Sequence, residues 1–148
     1  MSKTPKVVAI LLYIAGAILL VGGAGTWYTV SDQLAAESIT VTEDAPCQQG
    51  QAVNGPLEAY CMAEIINDHA LESTGGKTYA ELDREDPLRA VAQSASFLRA
   101  SLFTSVVAFG VAAFAMGIGV LSIIIGVGIS ALDKRTAVAG AEAPAVSA

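Results

Sequence analysis

The sequence predicts an all-α membrane protein: two transmembrane helices with a small, mostly helical exterior domain between them. Three observations carry this. Phe97 to Leu132 reads FLRASLFTSVVAFGVAAFAMGIGVLSIIIGVGISAL and has no charge after Arg99 until Asp133. Val7 to Val30 is a second apolar run with no charge at all. Between the runs lies an acidic stretch, from Asp32 to Asp86, with the pattern of a small folded unit. A helix needs about 20 apolar residues to cross a bilayer, and both runs exceed that. The chain has 148 residues, 53% of them hydrophobic, and a mean hydropathy of +0.56. A soluble domain of this length cannot bury so much apolar chain.

The second run carries a pattern as well as a length. Ser101, Ser105, Ala108, Ala112, Ala115, Gly119, Ser122, Gly126 and Ser130 recur at spacings of four and three. Such spacing puts all nine on one helical face. In lipid, helices associate where small residues let backbones approach, so the stripe is expected to be a helix-packing seam. Leu102, Val106, Val107, Phe109, Phe114, Leu121, Ile123 and Ile124 lie between the small residues and suit lipid. The stripe does not say whether it meets the first helix, a partner or another copy.

The first run repeats small residues by heptad, with Ala9, Gly16 and Gly23 on one line and Ala15 and Gly22 on the next. Trp27 and Tyr28 close it, where aromatic rings favour the headgroup level. A cleaved signal peptide is the competing reading, but its apolar region is shorter, about 7–15 residues. Lys3 and Lys6 precede the first run, and Lys134 and Arg135 follow the second. Short basic flanks stay in the cytoplasm. The expected layout is therefore a cytoplasmic N-terminus at 1–6, a span at 7–30, an exterior, periplasmic acidic domain at 31–96, a span at 97–132 and a disordered cytoplasmic tail at 133–148. This is a multi-pass protein of the cell (inner) membrane with both termini inside. The net charge of −6, placed mostly outside, disfavours nucleic acid and anionic lipid as partners.

Within the exterior segment, Ser38 to Thr42 (SITVT) alternates and is β-branched, which suits a short strand. Pro46, Gly50 and Asn54-Gly55 mark a loop. Pro56 suits the first turn of a helix running to about Glu72, with Leu57, Cys61 and Ile65 on one face. Gly75-Gly76 suits its C-cap. Thr78 to Glu81 fits a capping box, and Asp86-Pro87 suits the start of a last helix that runs into the second span.

Cys47 and Cys61 fall in the exterior segment, where thiols usually oxidise. They are expected to form a disulfide that staples a unit too small for a large core. A metal or redox pair would need further ligands, and His69 is the lone histidine. Gly75-Gly76-Lys77-Thr78 lacks the earlier glycine of a phosphate-binding loop, since Leu71 stands there. The acidic run Glu81 to Asp86 reads as a solvated helix start. Neither span carries a buried acid, base or histidine of the kind that marks an ion path. No catalytic, cofactor-binding or metal site is expected.

The stretches GGKTYAELDREDP (Gly75–Pro87) and SFLRASLFTSVVAFG (Ser96–Gly110) resemble a group of small two-span membrane proteins of actinobacteria. Some of these carry the label of aromatic ring-opening dioxygenases. Such enzymes hold non-haem iron on two histidines and a carboxylate, a set that one histidine cannot supply. The group implies no catalytic residues to carry over. In size and topology the chain is also similar to extra subunits of the respiratory cytochrome bcc–oxidase supercomplex. Taken together, these readings predict a non-catalytic accessory subunit or assembly factor of a larger membrane complex, with a respiratory complex, and hence electron transport, the first candidate. A self-assembling membrane protein and a membrane-anchored exterior binding module are the alternatives. The expected partners are integral membrane subunits and the lipid bilayer.

Overall fold

The computed structural model describes residues 4–142. Its elements are α1 (Thr4–Ala36), α2 (Pro56–Ser73) and α3 (Arg89–Glu142). No strand occurs among the described residues. Two of the helices, α1 and α3, are long and apolar enough to cross a membrane. The chain divides into two compact units, Met1–Gly25 with Ala112–Ala148, and Thr26–Val111.

In the first unit α1 and α3 run antiparallel, since rising numbers on one meet falling numbers on the other. Their closest approach is built from residues with almost no side chain. Ala9, Gly16 and Gly23 form the buried line of α1, and Ala112, Gly119 and Gly126 that of α3. Each line repeats every seven residues, which keeps it on one stripe of the helix. The outward faces are apolar: Ile10, Leu11, Ile18, Val21, Phe114, Leu121, Ile124 and Val127 are all exposed.

The second unit has a conventional core. Leu34 of α1, Val41, Ala45 and Val53 of the connecting loop, Ala59, Cys61, Ala63 and Ile65 of α2, and Leu102 and Phe109 of α3 are buried together. Trp27, Val30, Ile39, Met62, Phe103 and Val106 pack against them. Pro56 opens α2, where a missing N–H and a fixed φ cost nothing. The far end closes with a Schellman turn: Gly76 N–H donates to Leu71 O at 2.7 Å and Gly75 N–H to Glu72 O at 3.3 Å. Both glycines have positive φ, 65° and 82°, the left-handed conformation this turn requires.

Several expectations need correction. The strand at 38–42 reduces to one isolated antiparallel bridge, Thr40 to Ala52, flanked by Val41 N–H to Gln51 O and Val53 N–H to Ile39 O. Ser38, with φ 54°, is left-handed and starts the chain in the wrong direction for a longer ladder. Half of the capping box at Thr78 and Glu81 forms: the Thr78 N–H and hydroxyl both donate to Glu81 Oε2 at 2.8 Å. It closes a turn, not a helix. α3 starts at Arg89, slightly later than Pro87, with Asp86 Oδ1 accepting from Leu88 N–H at 2.9 Å. α3 also continues past Leu132 to Glu142, over part of the tail expected to be disordered. Ala137, Ala139 and Ala141 are strong helix formers with no proline among them, enough to extend a long existing helix. Residues 143–148 of that tail, like residues 1–3 of the basic start, lie outside the described residues. Leu57, expected to share one face with Cys61 and Ile65, is 61% exposed where those two are buried.

Candidate functional site

The nine seam residues of α3 fall in both units. In the first unit Ala112, Gly119 and Gly126 are buried, while Ala115, Ser122 and Ser130 are half-buried. Glycine is required at the crossing. A Cβ placed on Gly119 would lie 2.9 Å from Gly16 O and 3.0 Å from Leu20 Cγ. A Cβ on Gly16 would lie 2.8 Å from Gly119 O, and one on Gly23 2.8 Å from Ala112 O. These are backbone oxygens, which cannot swing away. At Gly126 the neighbour is the Tyr13 ring, 3.0 Å from a built Cβ. Tyr13 OH also meets Ser130 Oγ at 3.3 Å, and Lys6 Nζ approaches Asp133 Oδ2 at 4.0 Å. The seam therefore meets the first helix of the same chain. Ser122 and Ser130 direct their hydroxyls to the carbonyls of Ile118 and Gly126, at 2.8 and 2.9 Å, so neither presents an unsatisfied donor to an apolar medium.

The upper part of the seam differs. In the second unit Ser105 and Ala108 are half-buried and Ser101 is exposed. The buried residues there are Leu102 (4%) and Phe109 (1%), both expected to face lipid. Leu102 and Phe109 stand in the same seven-residue phase as Met116 and Ile123, whose side chains lie over Gly23 and Gly16. Trp27 lies edge-on to Phe109, with ring centroids 4.7 Å apart. Trp27 thus belongs to the core of this unit, and Tyr28, 72% exposed, is the aromatic ring left for a headgroup layer. Ile123, also expected on the lipid side, lies over Gly16. On α1 the heptad line Ala9, Gly16, Gly23 is buried, whereas Ala15 and Gly22 of the next line are exposed.

Cys47 and Cys61 form a disulfide with Cα atoms 5.6 Å apart and 14 residues apart in sequence. The bridge fastens the loop after α1 to α2, and Cys61 itself is buried. A second tie joins the same two segments. His69 Nε2 and Asp44 Oδ2 are 2.6 Å apart, both exposed. The nearby Thr42 hydroxyl, then the His69 ring, hold the Asp44 carboxyl below the usual carboxylate range. Thr42 Oγ1 makes no bond of good hydrogen-bond geometry, so the short His69 contact is the firmer cause. Glu81 is likewise held low, by the Thr78 N–H and then its hydroxyl. Its carboxylate serves the turn.

Arg99 was legible only as the last charge before the apolar run, and the structure gives it a setting. It lies in a cleft of about 370 Å³ between α2 and α3, lined with Asn67, Ala70, Ala95, Ser96, Ala100 and Phe103. An adjoining cleft of about 300 Å³ shares Asn67, Ala70, Ser96 and Arg99 and adds Lys77, Thr78 and Tyr79. Arg99 Nη2 lies 3.7 Å from Glu64 Oε1, its guanidinium stands 5.3 Å from the Phe103 ring centroid, and its Nε is buried with no hydrogen-bond partner. No group of three or more His, Cys, Asp or Glu side chains able to hold a metal occurs among the described residues. The chain matches no protein-family model, no curated protein and no solved structure.

Proposed function

We propose that this chain is a two-span protein of the cell membrane, with both termini cytoplasmic and residues 31–96 outside, and that it serves as a non-catalytic accessory or assembly subunit of a larger membrane complex. The observation that carries the membrane part is the outer surface of α1 and α3. Only 17% of the most apolar stretch of each helix is buried, unlike the core helix of a soluble protein. Leucine, isoleucine, valine and phenylalanine on so much exposed surface need lipid or a partner as their medium. Lys6 before the first span and Lys134 and Arg135 after the second support the orientation. The disulfide supports an oxidising compartment for the middle segment.

The accessory role draws on the form of the chain. The two long helices close on each other through glycine, and a disulfide ties the segment between them to α2. The exposed apolar side chains of α1 and α3 offer surface to an assembly. Because α1 occupies the small-residue seam, a partner would meet the larger side chains of the outward faces. This takes away the support for self-stacking through the seam. A respiratory complex is the first candidate, from the resemblance in size and topology.

The test has two arms. A reporter active only outside the cytoplasm should work when fused near Gly50 and fail when fused at Ala148. Chains solubilised gently from native membranes should then migrate, by native mass, with a defined set of integral membrane subunits carrying respiratory activity. A reversed reporter pattern refutes the topology. A lone monomer refutes the subunit role and favours an anchored binding module.

A further inference from the structure

We infer that the cleft between α2 and the start of α3 is a binding site for a phosphate ester, supplied by the headgroup of a phospholipid. The lipid source rests on the membrane reading above; the phosphate chemistry does not. The chain as a whole is acidic, yet this cleft gathers cations. Arg99 and Lys77 line it together. Arg89 stands behind its Tyr79 wall, 4.1 Å above the ring centroid and bound to Leu82 O. Among the described residues no carboxylate lies within 4 Å of Lys77, although its charge acts on Glu81, and the one carboxylate on Arg99 is Glu64, at a loose 3.7 Å. The Arg99 side chain is 41% exposed, which leaves its guanidinium fork accessible to a ligand even though Nε itself is buried.

Guanidinium presents its N–H groups as a planar fork, and a phosphate ester offers two or more acceptor oxygens that match it. Lys77 supplies a second charge from the segment after α2, and the Asn67 amide adds a neutral donor. Ser96 contributes little as a donor, because its hydroxyl is committed to Ala92 O at 2.8 Å. The apolar side of the cleft is as informative. Ala100 and Phe103 line the adjoining cleft, which shares Asn67, Ala70, Ser96 and Arg99 with the one that holds Lys77, and Phe97 and Leu98, which line neither cleft, are 66% and 52% exposed beside Arg99 in sequence. From Ala100 the helix carries no charge until Asp133. A site with cations on one side and an apolar helix descending from it fits a headgroup with acyl chains.

The test uses the full chain in mild non-ionic detergent. The probes are phosphatidylglycerol, a diacylglycerol with the same acyl chains, glycerol 3-phosphate and acetate, read by native mass spectrometry and thermal shift. Phosphatidylglycerol should survive delipidation on the parent, and diacylglycerol should not. Lys77→Gln combined with Arg99→Gln should weaken lipid retention about tenfold or more, since two charge-assisted contacts go. Arg84→Gln, an exposed cation outside the cleft, should leave it unchanged. Lys77→Gln alone, which spares the Arg99–Glu64 pair, guards against misfolding and should weaken retention several-fold. Stabilisation by glycerol 3-phosphate equal to that by the lipid supports the phosphate site and assigns it a soluble source. Equal retention by parent and both cleft variants overturns the inference, as does equal retention of diacylglycerol. Acetate matching glycerol 3-phosphate also overturns it, in favour of a partner's carboxylate. Extraction of the chain from membranes by alkaline carbonate would refute the membrane reading while the glycerol 3-phosphate comparison still judged the cleft.

Discussion

Adding one methyl group at Gly16 should loosen the helix pair, whereas the same methyl at Gly117 should not. At Gly16 the new Cβ would lie 2.7 Å from Ile123 Cγ1 and 2.8 Å from Gly119 O. Ordinary contact between such atoms begins near 3.4 Å, so about 0.6 Å must be found. Ile123 can rotate, but the carbonyl belongs to the facing helix backbone, so the helices must part locally. A gap of 0.5–1 Å forfeits about a quarter to a half of each dispersion contact, and overpacking of this kind costs about 1–3 kcal/mol. Alanine is also the better helix former, by up to about 1 kcal/mol, which offsets part of the loss. The net destabilisation of Gly16→Ala should be about 1–2 kcal/mol. Gly117 has nothing within 4 Å of its Cβ position, so Gly117→Ala should be neutral or stabilising. Gly23→Ala, which also meets a backbone oxygen at 2.8 Å, should resemble Gly16→Ala, and Gly126→Ala should be milder because a Tyr13 ring can yield. Gly119→Ile should separate the helices outright while leaving insertion intact, since isoleucine is at least as favourable in lipid as glycine. The assay is thermal unfolding in one detergent, followed by circular dichroism and by crosslinking between cysteines introduced on α1 and α3. If Gly16→Ala and Gly117→Ala unfold alike, the glycines are not set by the close approach and the reasoning fails.

Three further outcomes can be checked. Cys61→Ala should destabilise the second unit by roughly 3 kcal/mol, the loop-closure value for a bridge of this span; thiol labelling of the unreduced, denatured parent should find neither cysteine free, and full labelling of both would refute the staple. Phe109→Ala should cost about 3–5 kcal/mol, as a fully buried phenylalanine does, and should shift Trp27 emission to the red because the ring loses its edge-on partner; an unchanged spectrum would contradict the packing. Asp44, held low by Thr42 and His69, binds its proton less readily when folded than when unfolded, so its contribution is fully present above the unfolded value, about 3.9. That contribution should vanish as pH falls through the lower folded value, so Asp44→Asn should narrow the difference in denaturant midpoint between pH 7 and pH 3; an unaltered difference would show that the pair does not matter to stability.

Much of the architecture could be read from local chemistry. Length and the absence of charge select α1 and α3, because a long apolar helix needs only its own hydrogen bonds. Proline at 56 and glycines at 75 and 76 bound α2 because φ is a property of the residue itself. The small-residue periods on both long helices, Ala9, Gly16, Gly23 and Ala112, Gly119, Gly126, are visible for the same reason: a helix maps sequence spacing onto a face. The pairing of Cys47 with Cys61 needed only their number and their place in the chain. What periodicity leaves open is what lies opposite each face. Nothing local to Ser101 or Leu102 says which of them turns inward; the answer came from the loop and α2 residues that gather around Leu102 and Phe109. Trp27 looked like a headgroup anchor until Phe109 stood beside it. Spacing put Leu57 with Cys61 and Ile65, but α2 packs through Ala59, Cys61, Ala63 and Ile65 and leaves Leu57 exposed. The meeting of Gly16 with Gly119, of His69 with Asp44 and of Arg99 with Lys77 joins residues distant in sequence. The sequence by itself therefore determined which segments are helical and how apolar they are, since those depend on each residue and its near neighbours. Only the tertiary structure decided that the seam is closed within the chain and that two cations share one cleft, because contact between faces depends on what the rest of the chain brings to meet them.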